Sequence, residues 1–405
     1  MLDYPTALNQ LLTAIAERRT MIHATPLREA SARVLAKNMP AQYDSPQFDN
    51  SAMDGYALCI NETAVQTAVQ TEFNLIGRIA AGDDATGFEL NMGQAVRIFT
   101  GAPIPAGVNA VIAQEQTEAK GGLLLCTSPP HFGEHIRRRG EDIHAGDTLL
   151  HAGQVLSPAA IGLAASQGHA HLPTHAPVRV TVFSSGNELR EPSANGLVGG
   201  EIFDANRYQL LTWLQQLGCI VTDGGILPDQ RATTETCLQA AATTSDLIIT
   251  SGGVSVGEED HLKAALETSG ELVQWKLLLK PGKPFAWGRL NHATVMMLPG
   301  NPVATFVTFK MLVEPAIRVL MGMSLAQAQP RAMTACADFI QTKPEFRREF
   351  LRGVMHTDAH GVVHVKKLAN QGSHMLTACV TANALIEIPP QTLVNIGDAL
   401  TIYPI

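Results

Sequence analysis

The apolar residues of the opening stretch MLDYPTALNQLLTAIAERR recur at helical spacing, with Leu8, Leu11, Leu12 and Ile15 on one face. Residues 30–37 continue a helical pattern, so the first 40 positions read as mostly helical. From about residue 44 the period shortens. FNLIGRIAAG (73–82), AVRIFTGAPIP (95–105) and NAVIAQEQ (109–116) alternate like strands, and Gly121-Gly122 before LLLC marks a hairpin. After AGDTLLHAGQVL the segment SPAAIGLAASQG (157–168) returns to helix, with Ser157 as a cap and Pro158 at the first helical position. The pattern predicts a β-rich module over 44–142 inserted into a helical module formed by 1–43 and 143–176.

Residues 177–325 alternate differently. VRVTVFSS (178–185) is a strand and FDANRYQLLTWLQQLG (203–218) a helix, with Asp204 as a candidate cap and Gly218 as its stop. CIVTDGGI (219–226) is the next strand, and Asp229 precedes the helix QRATTETCLQAAATT. Leu247, Ile248 and Ile249 form a continuous apolar run that suits a strand buried on both faces. A final long helix starts at Asn301-Pro302. Strands and helices taking turns predict a mostly parallel, three-layer α/β domain with ligands at the carboxyl ends of its strands. The tail, 326–405, carries EFLRGVM, GVVHVKKL, ALIEIPP and DALTIYPI, which predict a small β-barrel. The fold class is therefore α/β and multidomain.

Between LIIT and the helical pattern HLKAALETSG lies SGGVSVGEED, with Gly252, Gly253 and Gly257 around Ser255 and Asp260 at the mouth of the helix. Glycine tolerates positive φ and close approach, so backbone N–H groups can converge into a hollow that suits a phosphate. A tight turn without a ligand would show the same glycines. The stretch that follows, WKLLLKPGKPFAWG (275–288), spaces Lys276, Lys280 and Lys283 four and then three apart and tips the reading towards an anion.

Composition narrows the field. The chain has 405 residues, 29 basic and 37 acidic, for a net charge of −8, and no basic run beyond Arg137-Arg138-Arg139. A general nucleic-acid binder would carry a basic footprint, so that class is excluded. The six cysteines contain no CxxC pair, which points to reduced thiols in a cytoplasmic protein. The N-terminus lacks a signal-peptide core, and no apolar run reaches the ~18 residues a membrane helix needs.

Several candidates also have plain structural readings. Asp204, Asp229 and Asp260 could each cap a helix, and Asp54 in NSAMDGYAL could serve a type I or I′ turn. Glu188 is different: it follows SSGN on a loop just after a strand, where this architecture places catalytic groups. Carboxylates converging on a phosphate pocket repel one another unless a cation sits among them, and Mg2+ favours oxygen ligands and phosphate. His169, His171 and His175 read as a loop beside Pro173 with no supporting acid, not as a metal site.

PQFDNSAMDGYAL (46–58), RIFTGAPIPAGVNAVI (97–112), SSGNEL (184–189), IFDANR (202–207), SGGVSVGEED (251–260), KPGKPFAWG (280–288) and LPGNPV (298–303) together resemble the molybdopterin molybdenumtransferase family, to which the gephyrin E domain also belongs. These motifs run through every inferred module. The resemblance implies a homodimer of four-domain subunits that inserts molybdate into adenylylated molybdopterin and releases AMP with Mg2+ present. It implies that Glu188, Asp229 and Asp260 are functional acids, Glu188 and Asp260 being the metal candidates. By the same analogy the hollow takes the pterin phosphate and nucleotide, with Ser185, Gly252, Gly253, Ser255, Gly257, Lys276, Lys280, Pro299 and Asn301 as contacts. Lys280, Lys283, Pro284, Arg352 and Ser373 match the family's molybdate pocket. Asp54, with Thr100 beside it, would face the cleft of the partner subunit, and the triple-arginine segment would lie near that cleft unless it is a solvated face. SSGNEL stands where TGDEL or TGNEL is usual, and Ser185 keeps a hydroxyl there.

Two rivals remain at this level. The molybdopterin adenylyltransferase, itself a possible partner of this chain, resembles only 177–322 and would lack the SAMDGY module and the barrel. A scaffold of the gephyrin type would have no need of the acids and lysines that this chain retains.

Overall fold

The structure is a computed structural model that describes the whole chain except residues 62–71, 254–261, 263–265 and 268–269. It divides into two compact units. One comprises Met1–Lys37, Ala152–Pro158 and His171–Ile405, and the other Asn38–His151 with Ala159–Ala170.

The larger unit is built around a six-stranded sheet. Its order is Ile220–Leu227, Arg179–Ser185, Leu247–Ser251, Ala293–Leu298, Ala286–Leu290 and Glu271–Trp275. The first four strands are parallel and the last two antiparallel, so the sheet is mostly parallel as expected. Leu247 and Ile249 feed one core cluster and Ile248 the other, which is why this strand tolerates no polar position in its middle. Helices Asn206–Gln216 and Arg231–Thr244 follow their strands, and a helical run from Pro302 to Leu320, with a π segment at Phe309–Val313, follows Ala293–Leu298. The helix read after the glycine loop falls largely outside the described residues.

The N-terminal helix, Tyr4–Ala16, buries Tyr4, Leu8, Leu11, Leu12 and Ile15 in the same core as the Pro302–Leu320 run. Beyond it the sequence reading fails. Residues 30–37 are not helical; Val34 bridges Val155, and Leu35 bridges Thr174. Ile22–Pro26 is a strand paired antiparallel with His171–His175, the segment taken for a histidine loop. Apolar spacing at Ala30, Val34 and Leu35 suits either element, and pairing with a partner far along the chain decides it.

The tail closes into a five-stranded barrel. Arg348–Thr357 pairs with Val363–Lys367, that strand with Met333–Ala337, then Ala399–Pro404, then Ala384–Ile388, which returns to Arg348–Thr357. The ring leaves no unpaired edge. Leu279–Lys280 adds to it in parallel, with Lys280 beside Glu349.

The second unit holds another six-stranded sheet, ordered Ala110–Ala113, Gly55–Leu58, Gln94–Ile98, Glu72–Ile79, Leu123–Cys126 and Thr117–Lys120. Gly121 and Gly122 both take positive φ, 61° and 82°, in the two-residue turn between the last two strands. Helix Pro158–Ser166 begins at the proline, as its sequence predicts.

Candidate active site

In the larger unit, three parallel strands release their carboxyl ends into one cavity of about 1170 Å3. They contribute Ser185-Gly186, Ser251-Gly252-Gly253 and Pro299-Gly300-Asn301 to its lining. Gly252 has φ 91°, and a Cβ there would lie 2.4 Å from the Ser185 carbonyl oxygen, so only glycine fits. Asn206, at the start of its helix, donates through Nδ2 to Ser251 Oγ at 2.8 Å and to the Gly300 carbonyl at 2.7 Å. Its Oδ1 is buried and without a partner among the described residues. Ser255, Gly257 and Asp260, the rest of the expected hollow, lie outside the described residues.

Glu188 and Asp229 line the same cavity. Asp229 does not cap the helix behind it. Its carboxylate accepts from Ser185 Oγ at 3.4 Å and from the Asn187 backbone N–H at 3.3 Å, turned towards the strand end. Asp204 keeps its structural reading: it accepts from the Arg207 backbone N–H and pairs with the buried Arg207 guanidinium at 3.0 Å. The side chains of Glu188, Asp229 and Ser185 themselves offer only oxygen, which suits a hard cation completed by phosphate and water oxygens. Among the described residues no three His, Cys, Asp or Glu side chains form a ready metal cage.

The remaining lining comes from the lysine turn and the barrel: Lys280 to Pro284, Arg347, Glu349, Leu351, Arg352 and Gln371 to His374. Arg352 is fully buried. One of its terminal nitrogens donates to the carbonyls of Asn370, at 3.3 Å, and Gly372, at 3.2 Å, but among the described residues Nε has no partner and no carboxylate pairs with the charge. Burial lowers its pKa, because the dry surroundings disfavour the cation. Gln371 clamps the Arg352 backbone from both sides, and the Ser373 carbonyl accepts from the Val303 backbone N–H at 3.1 Å, tying this loop to the helix start. Lys283 is exposed, and no ion pair holds its ammonium among the described residues. Lys280 is bound by two carboxylates, Glu345 at 2.8 Å and Glu349 at 3.1 Å, which raise its pKa. Lys276 takes φ 73° and does not line the cavity.

Asp54 and Thr100 belong to the second unit. Asp54 Oδ1 accepts from the Thr100 backbone N–H at 2.8 Å and from its hydroxyl at 2.7 Å, and these two bonds depress its pKa. That is a fixed, ionised acid, and it explains Thr100 better than a generic turn does. In the triple-arginine segment Arg138 pairs with Asp49 and Arg139 with Asp44. His169 Nδ1 bonds with Gln42 Nε2 and His175 Nδ1 with the Thr20 carbonyl, partners far along the chain.

Sequence reasoning missed Asn206, Arg347, Glu349, Gln371 and His374. Two of these left a trace. Asn206 sits inside IFDANR, and Glu349 with Arg352 places two charges inside the apolar strand pattern EFLRGVM, where a barrel core admits charge only for a reason.

Three family models match in order: MoeA N-terminal region (domain I and II) over residues 2–168, probable molybdopterin binding domain over 181–319, and MoeA C-terminal region (domain IV) over 337–405. The chain is 40% identical to "Molybdopterin molybdenumtransferase" of Haemophilus influenzae over 380 residues, covering 93% of this chain and 92% of that one. It is 34% identical to "Molybdopterin molybdenumtransferase 2" of Mycobacterium tuberculosis, covering 93% and 94%. Among solved structures, the molybdopterin biosynthesis moeA protein of Pyrococcus horikoshii superposes with a TM-score of 0.83 at 26% identity, covering 100% of both chains. These matches include the N-terminal and C-terminal regions that a lone adenylyltransferase would lack, and the chain belongs to the molybdopterin molybdenumtransferase family.

Proposed function

We propose that this chain, a transferase of molybdenum in molybdenum cofactor biosynthesis by its family, inserts molybdate into adenylylated molybdopterin and releases AMP with Mg2+ present. The observation that carries this reading is the mixed lining of one cavity. It joins a glycine-bounded strand-end hollow and two carboxylates to two cations, Lys283 and Arg352, that no carboxylate holds among the described residues. In this reading the strand-end backbone and Ser185 hold the phosphate of the pterin nucleotide. Lys283, Arg352 and Ser373 supply the positive charge and donors that a compact dianion needs. Glu188 and Asp229 would hold Mg2+, which when bound offsets charge on the phosphate oxygens as AMP departs. Asp260 is a further candidate ligand from the family pattern. The test is direct: pure protein, adenylylated molybdopterin, Mg2+ and molybdate are mixed and AMP is followed. Molybdate-dependent AMP release is expected, and release that ignores molybdate, or none, overturns the reading.

The working unit is a homodimer with a shared cleft, in which Asp54 and Thr100 of one subunit serve the cavity of the other. Support comes from Asp54 itself, an exposed carboxylate kept ionised and oriented by two bonds from Thr100. Mixing Asp54→Ala chains with Glu188→Gln chains should restore AMP release, because half of each hybrid's sites are intact. Verified hybrids without recovery would remove the shared cleft. Free thiols at all six cysteines support a cytoplasmic setting, where the molybdopterin adenylyltransferase would supply the substrate.

A further inference from the structure

Glu188 is exposed, yet the main chain that carries it is tied at every carbonyl from Gly186 to Arg190. The Leu189 N–H donates to the Gly186 carbonyl at 3.1 Å, the Ile202 N–H to Glu188 at 2.9 Å and the Asp204 N–H to Arg190 at 2.9 Å. The two carbonyls on either side of Glu188 belong to one side chain. Arg190 Nη1 donates to Asn187 at 2.8 Å and to Leu189 at 2.7 Å. The other edge of the guanidinium holds Glu201, with Nε and Nη2 at 2.8 and 2.7 Å from Oε1. Glu201 is anchored in turn, its Oε2 accepting from the Val198 N–H at 3.0 Å.

A surface loop ordinarily leaves such carbonyls to water. Here a planar guanidinium spans two of them and a carboxylate at once, which a lysine's compact ammonium cannot do. Arg190 and Glu201 do not line the cavity, whereas Glu188, Leu189 and Ile202 do, so the clamp acts from behind the lining. Gly186 completes the seat: a Cβ there would lie 2.5 Å from Glu188 Oε2, and the bare glycine leaves the carboxylate its place over the strand end. The ion pair is solvent-exposed and adds little to stability, so what it supplies is geometry. Resting on the reading of Glu188 as a functional acid, we infer that Arg190, oriented by Glu201, is a positioning residue that aims the Glu188 carboxylate into the cavity.

The test compares Arg190→Gln, Arg190→Lys and Glu188→Gln in the full chain. Arg190→Gln should slow single-turnover AMP release about tenfold or more, the scale of a small misplacement, while adenylylated pterin binds within about threefold of the starting affinity. Arg190→Lys should be as slow, because charge without the fork does not bridge the carbonyls. In the Glu188→Gln background Arg190→Gln should cost less than about twofold more, since the group to be aimed is gone. Hydrogen exchange reads the geometry without the chemistry. The Ile202 and Asp204 amides, which hold the Glu188 and Arg190 carbonyls, should exchange about tenfold faster in Arg190→Gln at an unchanged melting temperature. Glu201→Gln frees the far end of the guanidinium and should move both readouts the same way, should Arg190→Gln fold poorly. AMP release in Arg190→Gln within about threefold of the starting rate overturns the inference, as do rescue by lysine, additive losses in the double variant, or unaltered exchange at both amides. Failure of the Glu188 reading looks different: Glu188→Gln would itself release AMP at the starting rate, and Arg190 would have nothing to position.

Discussion

Replacing Arg352 with methionine is expected to raise the molybdate concentration for half-maximal AMP release by roughly tenfold to a hundredfold, the worth of ~1.5–3 kcal/mol for a charged hydrogen bond in a partly dry site. The same substitution should leave the melting temperature unchanged or increase it. Arg352 is fully buried, its Nε bonds to nothing, and its only described partners are two carbonyls at 3.2 and 3.3 Å. A cation in that setting costs folding energy, and an apolar side chain of similar length relieves the cost. A structural arginine would behave in the reverse way, with stability falling and the molybdate dependence intact. Thermal melts and molybdate titrations on one preparation separate the two. A fall of several degrees with unaltered half-saturation would show that Arg352 is there for the barrel and not for the anion.

Glu188→Gln should slow AMP release while adenylylated pterin still binds. Glutamine preserves shape and removes charge, so what is lost is the electrostatic term at the reacting phosphate. Removing one preorganised group of this kind costs ~2–4 kcal/mol in barrier, on the order of thirty-fold to a thousand-fold in rate. Glu188 has no polar side-chain partner among the described residues and is exposed, so the substitution has little folded structure to disturb. Fluorescence titration with the pterin and single-turnover AMP release make the comparison. If turnover is unaffected, Glu188 is a loop residue and the acid role passes to Asp229.

The centre of the parallel sheet was legible because its strand Leu247–Ser251 is buried on both faces, and Leu247, Ile248 and Ile249 form an apolar run too short for a membrane helix. The hairpin at Gly121-Gly122 was legible for a local reason too, since two successive positive φ angles demand those residues. Residues 30–37 were not, because the pairs Val34 with Val155 and Leu35 with Thr174 join segments more than a hundred positions apart. At the site, the glycines and lysines of the motifs led to residues that do share one cavity, Gly252, Gly253, Lys280 and Lys283. The motif could place Asp229 in the right cleft only through resemblance, since its own surroundings in sequence look like a helix cap. What no local pattern contains is the ion-pair partner. Lys280 and Glu349 become neighbours through strand pairing, and whether a lysine is free or answered is decided there.

The strand Arg348–Thr357 holds two barrel neighbours by main-chain bonds, receives Leu279–Lys280 near its start, and carries Glu349 and Arg352 into the cavity. The amides beneath this part of the cavity are therefore those of a closed ring, where opening one rung strains all the others. Hydrogen exchange there should be as slow as anywhere in the barrel, whereas the amides of the 186–201 loop that carries Glu188 exchange early. The two halves of the cavity thus differ in construction: one wall is a strand locked into a closed ring, the other a loop leaving a strand end.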